Sequence, residues 1–176
     1  MIVVMGLPGA GKSTVLNELD TDYRVVNYGD LMLEVEKEKF GVKGRDDMRK
    51  LPIEKQKEAQ KMVYERLSRM QEKVILDTHC AVNTPGGFFP GLPFECLRML
   101  KVDALVLITA EVEEVKQRRA EDPTRQRDTD NVELHDAMNK SFLAAYSAFT
   151  GAPAVIIYNR QNKLEQAVAE LQDVLK

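Results

Sequence analysis

Tryptophan is absent from the 176 residues, and histidine and cysteine occur only twice each. With so few imidazoles and thiols, and with Cys80 and Cys96 at no metal-ligand spacing, neither a zinc site nor a disulfide framework is expected. Two isolated thiols suit a reducing cytoplasm. An excess of positive charge is also missing. The 25 Lys and Arg stand against 28 Asp and Glu, a net charge of −3, so no general basic surface points to nucleic acid. Long hydrophobic runs are lacking: stretches such as Ala104 to Ile108 are far too short to cross a bilayer. Met1 leads through Ile-Val-Val-Met into a glycine loop, without the basic segment or small-residue cleavage site of a signal peptide. What is present is 44% hydrophobic and 30% charged residues, the balance of one compact domain over residues 1–176.

Short β-branched runs alternate with helical patterns, which predicts a central parallel sheet covered by helices, an α/β layered fold. Ile2–Met5, Arg24–Asn27, Val74–Asp77, Ala104–Thr109 and Ala154–Tyr158 read as five strands, apolar throughout as strands buried on both faces should be. Glu54–Gln71 carries Ala59, Met62, Val63, Leu67 and Met70 at helical spacing, with Pro52 ahead of its first turn. Val132–Thr150 places His135, Met138, Phe142, Ala145 and Phe149 on one face, opens with Asp130 and Glu133 in capping-box spacing, and stops at Gly151. A last amphipathic helix follows, carrying Leu164, Ala167, Val168, Leu171, Val174 and Leu175, with Asn162 as its expected cap. Two stretches resist regular structure. Thr78–Pro93 is so rich in Pro and Gly that it predicts a long irregular loop, and Ala120–Asn131 is polar with Arg125 and Arg127 among acids.

Gly6-Leu7-Pro8-Gly9-Ala10-Gly11-Lys12-Ser13 satisfies the Walker A pattern at every fixed position, directly after a strand and before a helix. Its backbone N–H groups suit phosphate oxygens, Lys12 suits the β and γ phosphates, and the Ser13 hydroxyl suits magnesium. Thr14 follows in the helix whose positive end would face the anion. Asp77, the first carboxylate after Val74-Ile75-Leu76, is the expected acid on the metal side. No Asn-Lys-x-Asp segment is present to read guanine. Arg118, Arg119, Arg125 and Arg127 cluster where a lid should be, and guanidiniums there would stabilise charge on a transferring phosphoryl group. No Asp-rich loop offers a general base, which suits an acceptor that is already an anion, such as a nucleoside monophosphate. Arg45 and Arg49 are then the candidates for holding that acceptor.

At these residues the chain resembles the archaeal type of adenylate kinase. The matching segments are Gly6–Thr14, Val26–Asp30, Arg45–Pro52, Asp77–His79, Thr84-Pro85, Gly87, Pro90–Pro93, Thr124–Asp128 and Thr150-Gly151, which cover nearly the whole chain. The resemblance implies a three-layer P-loop fold with ATP and AMP as substrates, magnesium as cofactor, and a homo-oligomer, often a trimer. It also implies an AMP-side helical region over about residues 29–73 and an arginine-bearing lid over about 120–131. The donor side would comprise Gly6, Pro8, Gly9, Ala10, Gly11, Lys12, Ser13 and Thr14, with Asn159 and Arg160 where adenine packs. Gly29, Arg49, Thr78 and His79 would serve AMP, and Arg119, Arg125 and Arg127 would join Lys12 in catalysis. His79 is open to a second reading as a structural histidine, and Asn159-Arg160 to one as a plain loop. Two departures stand out. Leu33 and Ala81 occupy positions where the bacterial and eukaryotic enzymes carry acceptor arginines, so the role of Arg49 rests on the archaeal branch; and the first helix is short. The rival readings are a kinase for another small acceptor, and a slow ATPase adaptor for an RNA or ribosome-assembly partner.

Overall fold

The computed structural model describes residues 1–48, 50–121 and 131–176. Five strands, β1 (Ile2–Gly6), β2 (Arg24–Asn27), β3 (Val74–Thr78), β6 (Ala104–Thr109) and β7 (Ala154–Tyr158), form one parallel sheet in the order β2-β3-β1-β6-β7. These are the five strands expected from the sequence, with β1 and β3 each one residue longer. Side chains alternate between the two faces along a strand, and the core divides accordingly. Val3, Met5, Leu76, Leu105 and Leu107 face one layer, made by α2 (Tyr28–Phe40), α4 (Ile53–Ser68) and α7 (Val132–Thr150). Ile2, Val4, Ile75, Val106 and Ile108 face the other, made by α1 (Lys12–Asn17) and α8 (Leu164–Val174). The short helices α3 (Arg45–Met48) and α5 (Phe94–Leu97) and the nine-residue α6 (Val112–Ala120) complete the set among the described residues. Among the described residues no helix is long and apolar enough to cross a membrane.

The edge strands depart from the two-sided burial expected of them. Val25 and Ile156 are exposed, because among the described residues β2 and β7 each have a neighbour on one side alone. The larger correction concerns Thr78–Pro93. Instead of an irregular loop, it forms an antiparallel hairpin of β4 (Ala81–Thr84) and β5 (Gly87–Pro90). The prolines fall where no ladder N–H is needed: Pro85 in the turn and Pro90 at a strand end. The Thr84 hydroxyl donates to the Gly87 carbonyl (2.9 Å) and accepts from the Gly86 N–H (3.2 Å), closing the turn.

Helix ends also shift. α7 is capped by Asn131, whose side-chain oxygen accepts from the Leu134 N–H at 2.9 Å; Asp130, the expected cap, lies outside the described residues. α8 starts after Lys163, and Asn162 takes a left-handed φ of 58° in the preceding turn, so its side chain does not cap. Gly151, with φ 75°, ends α7 as expected. α4 begins right after Pro52 and stops at Ser68.

Candidate active site

The sheet register brings the chemistry-bearing residues to one edge. Val4 is level with Asp77, Asn27 with the same Asp77, and Gly6 with Ile108. From that edge the Gly6–Ser13 loop turns back over the strands, held by Leu7 N–H to the Ile108 carbonyl (3.1 Å) and Ala10 N–H to the Leu7 carbonyl (2.9 Å). Gly9 and Gly11 take φ of 92° and 83°, conformations that side-chain-bearing residues rarely adopt. Beneath the loop a small cluster of Leu7, Ala10, Ala110, Val115 and Val132 seats it on α6 and the start of α7. The Gly9, Gly11, Lys12 and Ser13 N–H groups have no acceptor among the described residues, so the loop presents a row of unengaged donors at a helix start.

The Lys12 stem crosses Gly6 so closely that a Cβ there would lie 2.9 Å from Lys12 Cδ. Its ammonium forms an ion pair with Asp77 Oδ1, both side chains being largely buried. The other carboxylate oxygen of Asp77 accepts from Asn27 Nδ2 at 2.8 Å. Asn27 has a second task, since its Oδ1 accepts from the Asp30 N–H (3.1 Å) and caps α2. Burial lowers the Lys12 pKa from 10.5 to about 8. Bound phosphates would favour the ammonium, so binding of a polyphosphate above pH 8 should take up a proton and weaken as pH rises. Calorimetry of tripolyphosphate binding in buffers of different ionisation enthalpy would reveal that uptake, and a pH-independent affinity up to pH 10 would exclude it.

The remaining candidates fall into three groups. Ser13 and Thr14 are exposed in the first turn of α1, Thr78 ends β3 buried, and exposed His79 follows it. Gly29 lies in the first turn of α2, beside the Asp30–Arg45 ion pair (2.6 Å). On the far side of the loop, Arg119 donates from Nε and Nη2 to the Pro8 carbonyl (2.9 and 2.7 Å), and Asn159 Nδ2 donates to the Ala10 carbonyl (2.8 Å). Arg160 lies over the Tyr158 ring (5.3 Å) and pairs with Glu111 (3.5 Å). Arg49, Arg125 and Arg127 lie outside the described residues.

Two contributions go beyond the sequence reading. Asn27, which the sequence places at a strand end within the Val26–Asp30 segment, also caps α2 and holds Asp77. Arg118, grouped by the sequence with the arginines that would stabilise a transferring phosphoryl group, donates from its guanidinium to the Ala10 and Asn159 carbonyls at 3.2 and 3.0 Å. Arg118, Asn159 and Arg160, with Gly11, Thr14 and Leu164, line a cavity of about 240 Å³ beside the loop. Residues read as structural are buried: His135 meets the Ala81 carbonyl at 3.2 Å, and burial pushes the Cys80 and Cys96 thiols up to about 12 and about 11. Thiols held that high are not nucleophiles at neutral pH.

Comparison with known proteins agrees with this geometry. The AAA domain family matches residues 5–135. A solved shikimate kinase from Bacteroides thetaiotaomicron superposes with a TM-score of 0.55 at 17% identity, over 99% of this chain and 97% of that one, a likeness of fold alone. Much nearer in sequence are proteins named adenylate kinase. That of Methanothermobacter thermautotrophicus is 43% identical over all of this chain and 99% of its own length. Those of Methanopyrus kandleri and Thermoplasma volcanium are 44% and 43% identical, again over nearly the full length of both partners. Identity at this level from end to end leaves no part of the fold unaccounted for, and the chain belongs to the adenylate kinase family.

Proposed function

We propose that the protein transfers the γ-phosphoryl group of ATP to AMP, giving two ADP. The observation that carries this reading is the full-length likeness to archaeal relatives named adenylate kinase, combined with a Walker A loop whose lysine and amide donors converge at the sheet edge. In the reaction an AMP phosphate oxygen bonds to the γ-phosphorus as the bond to the β–γ bridging oxygen breaks, and ADP leaves. The attacking oxygen is already anionic, so no general base is required, and catalysis reduces to alignment and charge stabilisation. The loop amides hold the donor phosphates, and Lys12 follows the charge that builds toward the bridging oxygen. Thr14, Asn159 and Arg160 flank the donor.

Magnesium fits the residues present. Among the described residues no cluster of three His, Cys, Asp or Glu offers a cage for an ion, but Asp77 and the Ser13 hydroxyl supply hard oxygen atoms at the loop. A carboxylate and a hydroxyl suit an ion that arrives with its nucleotide and keeps phosphate and water ligands. When bound, Mg2+ would neutralise charge on the phosphates. Asn27, by holding one oxygen of Asp77, orients the carboxylate for this task.

On the acceptor side, Gly29, Thr78 and His79 would line the AMP site within a helical region spanning about residues 29–73, with Arg49 as the clamp on its phosphate. Arg49→Ala is then expected to raise KM for AMP and lower kcat while leaving ATP affinity nearly unchanged. Steady-state kinetics with ATP titration would detect the reverse pattern if the residue belonged to the donor site. Arg125 and Arg127 would act from a lid over about residues 120–131 that keeps water from the γ-phosphate, with Arg119 just before it at the end of α6. We further infer a cytoplasmic homo-oligomer, a trimer on the resemblance, which sedimentation would read as three chains.

A coupled assay of ADP formation with AMP, UMP, CMP and GMP, run beside phosphate release from ATP alone, tests the proposal. Fast transfer confined largely to AMP, with very slow hydrolysis, is the expected result. Transfer to another monophosphate would make the chain a different nucleotide kinase, and hydrolysis indifferent to AMP would make it an adaptor ATPase.

A further inference from the structure

Two carbonyls of the Walker A loop, those of Pro8 and Ala10, are held from behind by side chains outside the loop. Ala10 O accepts from Asn159 Nδ2 at 2.8 Å and from Arg118 Nη1 at 3.2 Å. Arg118 is itself oriented: its Nη2 donates to the Asn159 carbonyl (3.0 Å) and lies 3.5 Å from Glu114 Oε2, while Glu114 Oε1 accepts from the Gln161 N–H (2.9 Å). The guanidinium therefore bridges the loop after β1 and the loop after β7. A peptide unit is planar and trans, so its C=O and N–H point in opposite directions. Drawing the Ala10 carbonyl toward Arg118 and Asn159 turns the Gly11 N–H the other way. That N–H has no acceptor among the described residues. The Pro8 carbonyl, gripped by Arg119, turns the Gly9 N–H in the same manner. The glycines permit this bracing. A Cβ at Gly11 would meet Asn159 Nδ2 at 2.4 Å, and one at Gly9 would meet Arg119 Cγ at 3.1 Å.

We propose that Arg118 and Asn159 are positioning residues of the donor site, which set the Gly11 N–H toward the phosphates by fixing the Ala10–Gly11 peptide from its outer side. This rests on the reading of the loop as the ATP site. Two donors on one carbonyl also polarise the peptide and strengthen the N–H as a donor. Arg118 lines the cavity beside the loop, so the alternative is direct contact with the adenosine part of ATP, and the two make opposite predictions for a ligand without adenosine.

The experiment compares tripolyphosphate and ATP binding, by calorimetry at fixed salt, to the wild type, Arg118→Met and Arg118→Lys. Positioning through the peptide predicts that Arg118→Met weakens both ligands by the same factor, about tenfold as for other groups that orient a binding atom from behind. It also predicts a smaller shift of the Gly11 amide resonance on adding tripolyphosphate. Arg118→Lys should recover part of the affinity, since an ammonium keeps the charge but cannot bridge both carbonyls. Weaker ATP binding with tripolyphosphate unchanged would place Arg118 on the adenosine and overturn the proposal. So would unchanged binding of both ligands, or full recovery by lysine. If Arg118→Met fails to fold, Arg118→Lys is judged on the same two-ligand comparison. A wild type that binds neither ligand would refute the ATP-site reading itself, before any variant is compared.

Discussion

Lys12→Ala is expected to lower kcat by about 10²-fold or more, equivalent to roughly 2.7 kcal/mol or more of lost transition-state stabilisation. The size follows from position. Lys12 is the one full positive charge within the loop, its stem is packed against Gly6, and its ammonium is largely shielded from water. A charge in such a site acts with little screening and needs no reorganisation when the phosphoryl group moves. Coupled assays with ATP and AMP, with a melting curve for each protein, separate lost chemistry from lost structure. The melting curve matters because the substitution leaves the buried Asp77 carboxylate without its counter-charge. Wild-type turnover by a folded variant would remove Lys12 from the donor site.

The second large effect concerns stability. Gly91→Ala is expected to destabilise the fold by about 3 kcal/mol or more, beyond what overpacking a methyl group commonly costs. An alanine Cβ would sit 1.9 Å from the His79 carbonyl oxygen and 2.6 Å from its carbon, and these are main-chain atoms that cannot rotate aside. Nor can the two segments separate cheaply. Gly91 N–H donates to the Cys80 carbonyl at 2.9 Å, and the buried Tyr146 hydroxyl donates to that same carbonyl (2.8 Å) while accepting from Leu92 N–H (3.2 Å). Urea unfolding measures the loss. Gly86→Ala, whose Cβ would meet nothing closer than 3.8 Å, is the control expected to be near neutral. Equal stability of the two variants would show that the hairpin base yields.

How much of this was legible beforehand follows from the distance over which each feature is encoded. The phosphate loop is written in eight consecutive residues, and its context of strand and helix is written beside it, so both could be read. The five sheet strands were legible because apolar β-branched runs have few other uses. The β4–β5 hairpin was masked by its own turn, since Pro85, Gly86 and Gly87 dominate the composition while Val82 and Phe89, a cross-strand pair, are the only large apolar pair that signals strands. The cap of α7 was misplaced by one residue because Asp130 and Asn131 are equally suited by type. Arg118 was readable only as one of the lid-side arginines, and Asn159 only, by resemblance, as a residue near adenine; neither was readable as a brace of the loop. Their partner is the Ala10 carbonyl, a main-chain atom more than a hundred residues away in sequence, and nothing in the identity of alanine advertises it.

The sheet order has a consequence for the birth of the chain. β1 is central, and its neighbours β3 and β6 are made long after it: Ile2 pairs with Ile75 and Ala104. At roughly 5–20 residues per second, β1 waits on the order of 5–20 seconds for β6 to be synthesised. Until β3 emerges Ile-Val-Val-Met is an unpaired apolar strand, and until β6 emerges it is paired on one side alone, the kind of segment that holdase chaperones grip and that neighbouring nascent chains can pair with. The phosphate loop cannot close early to help, because Leu7 takes its anchoring acceptor from Ile108 and Lys12 its counter-ion from Asp77. Nucleotide can therefore act as a folding ligand only late in translation, after residue 108 has cleared the ribosome.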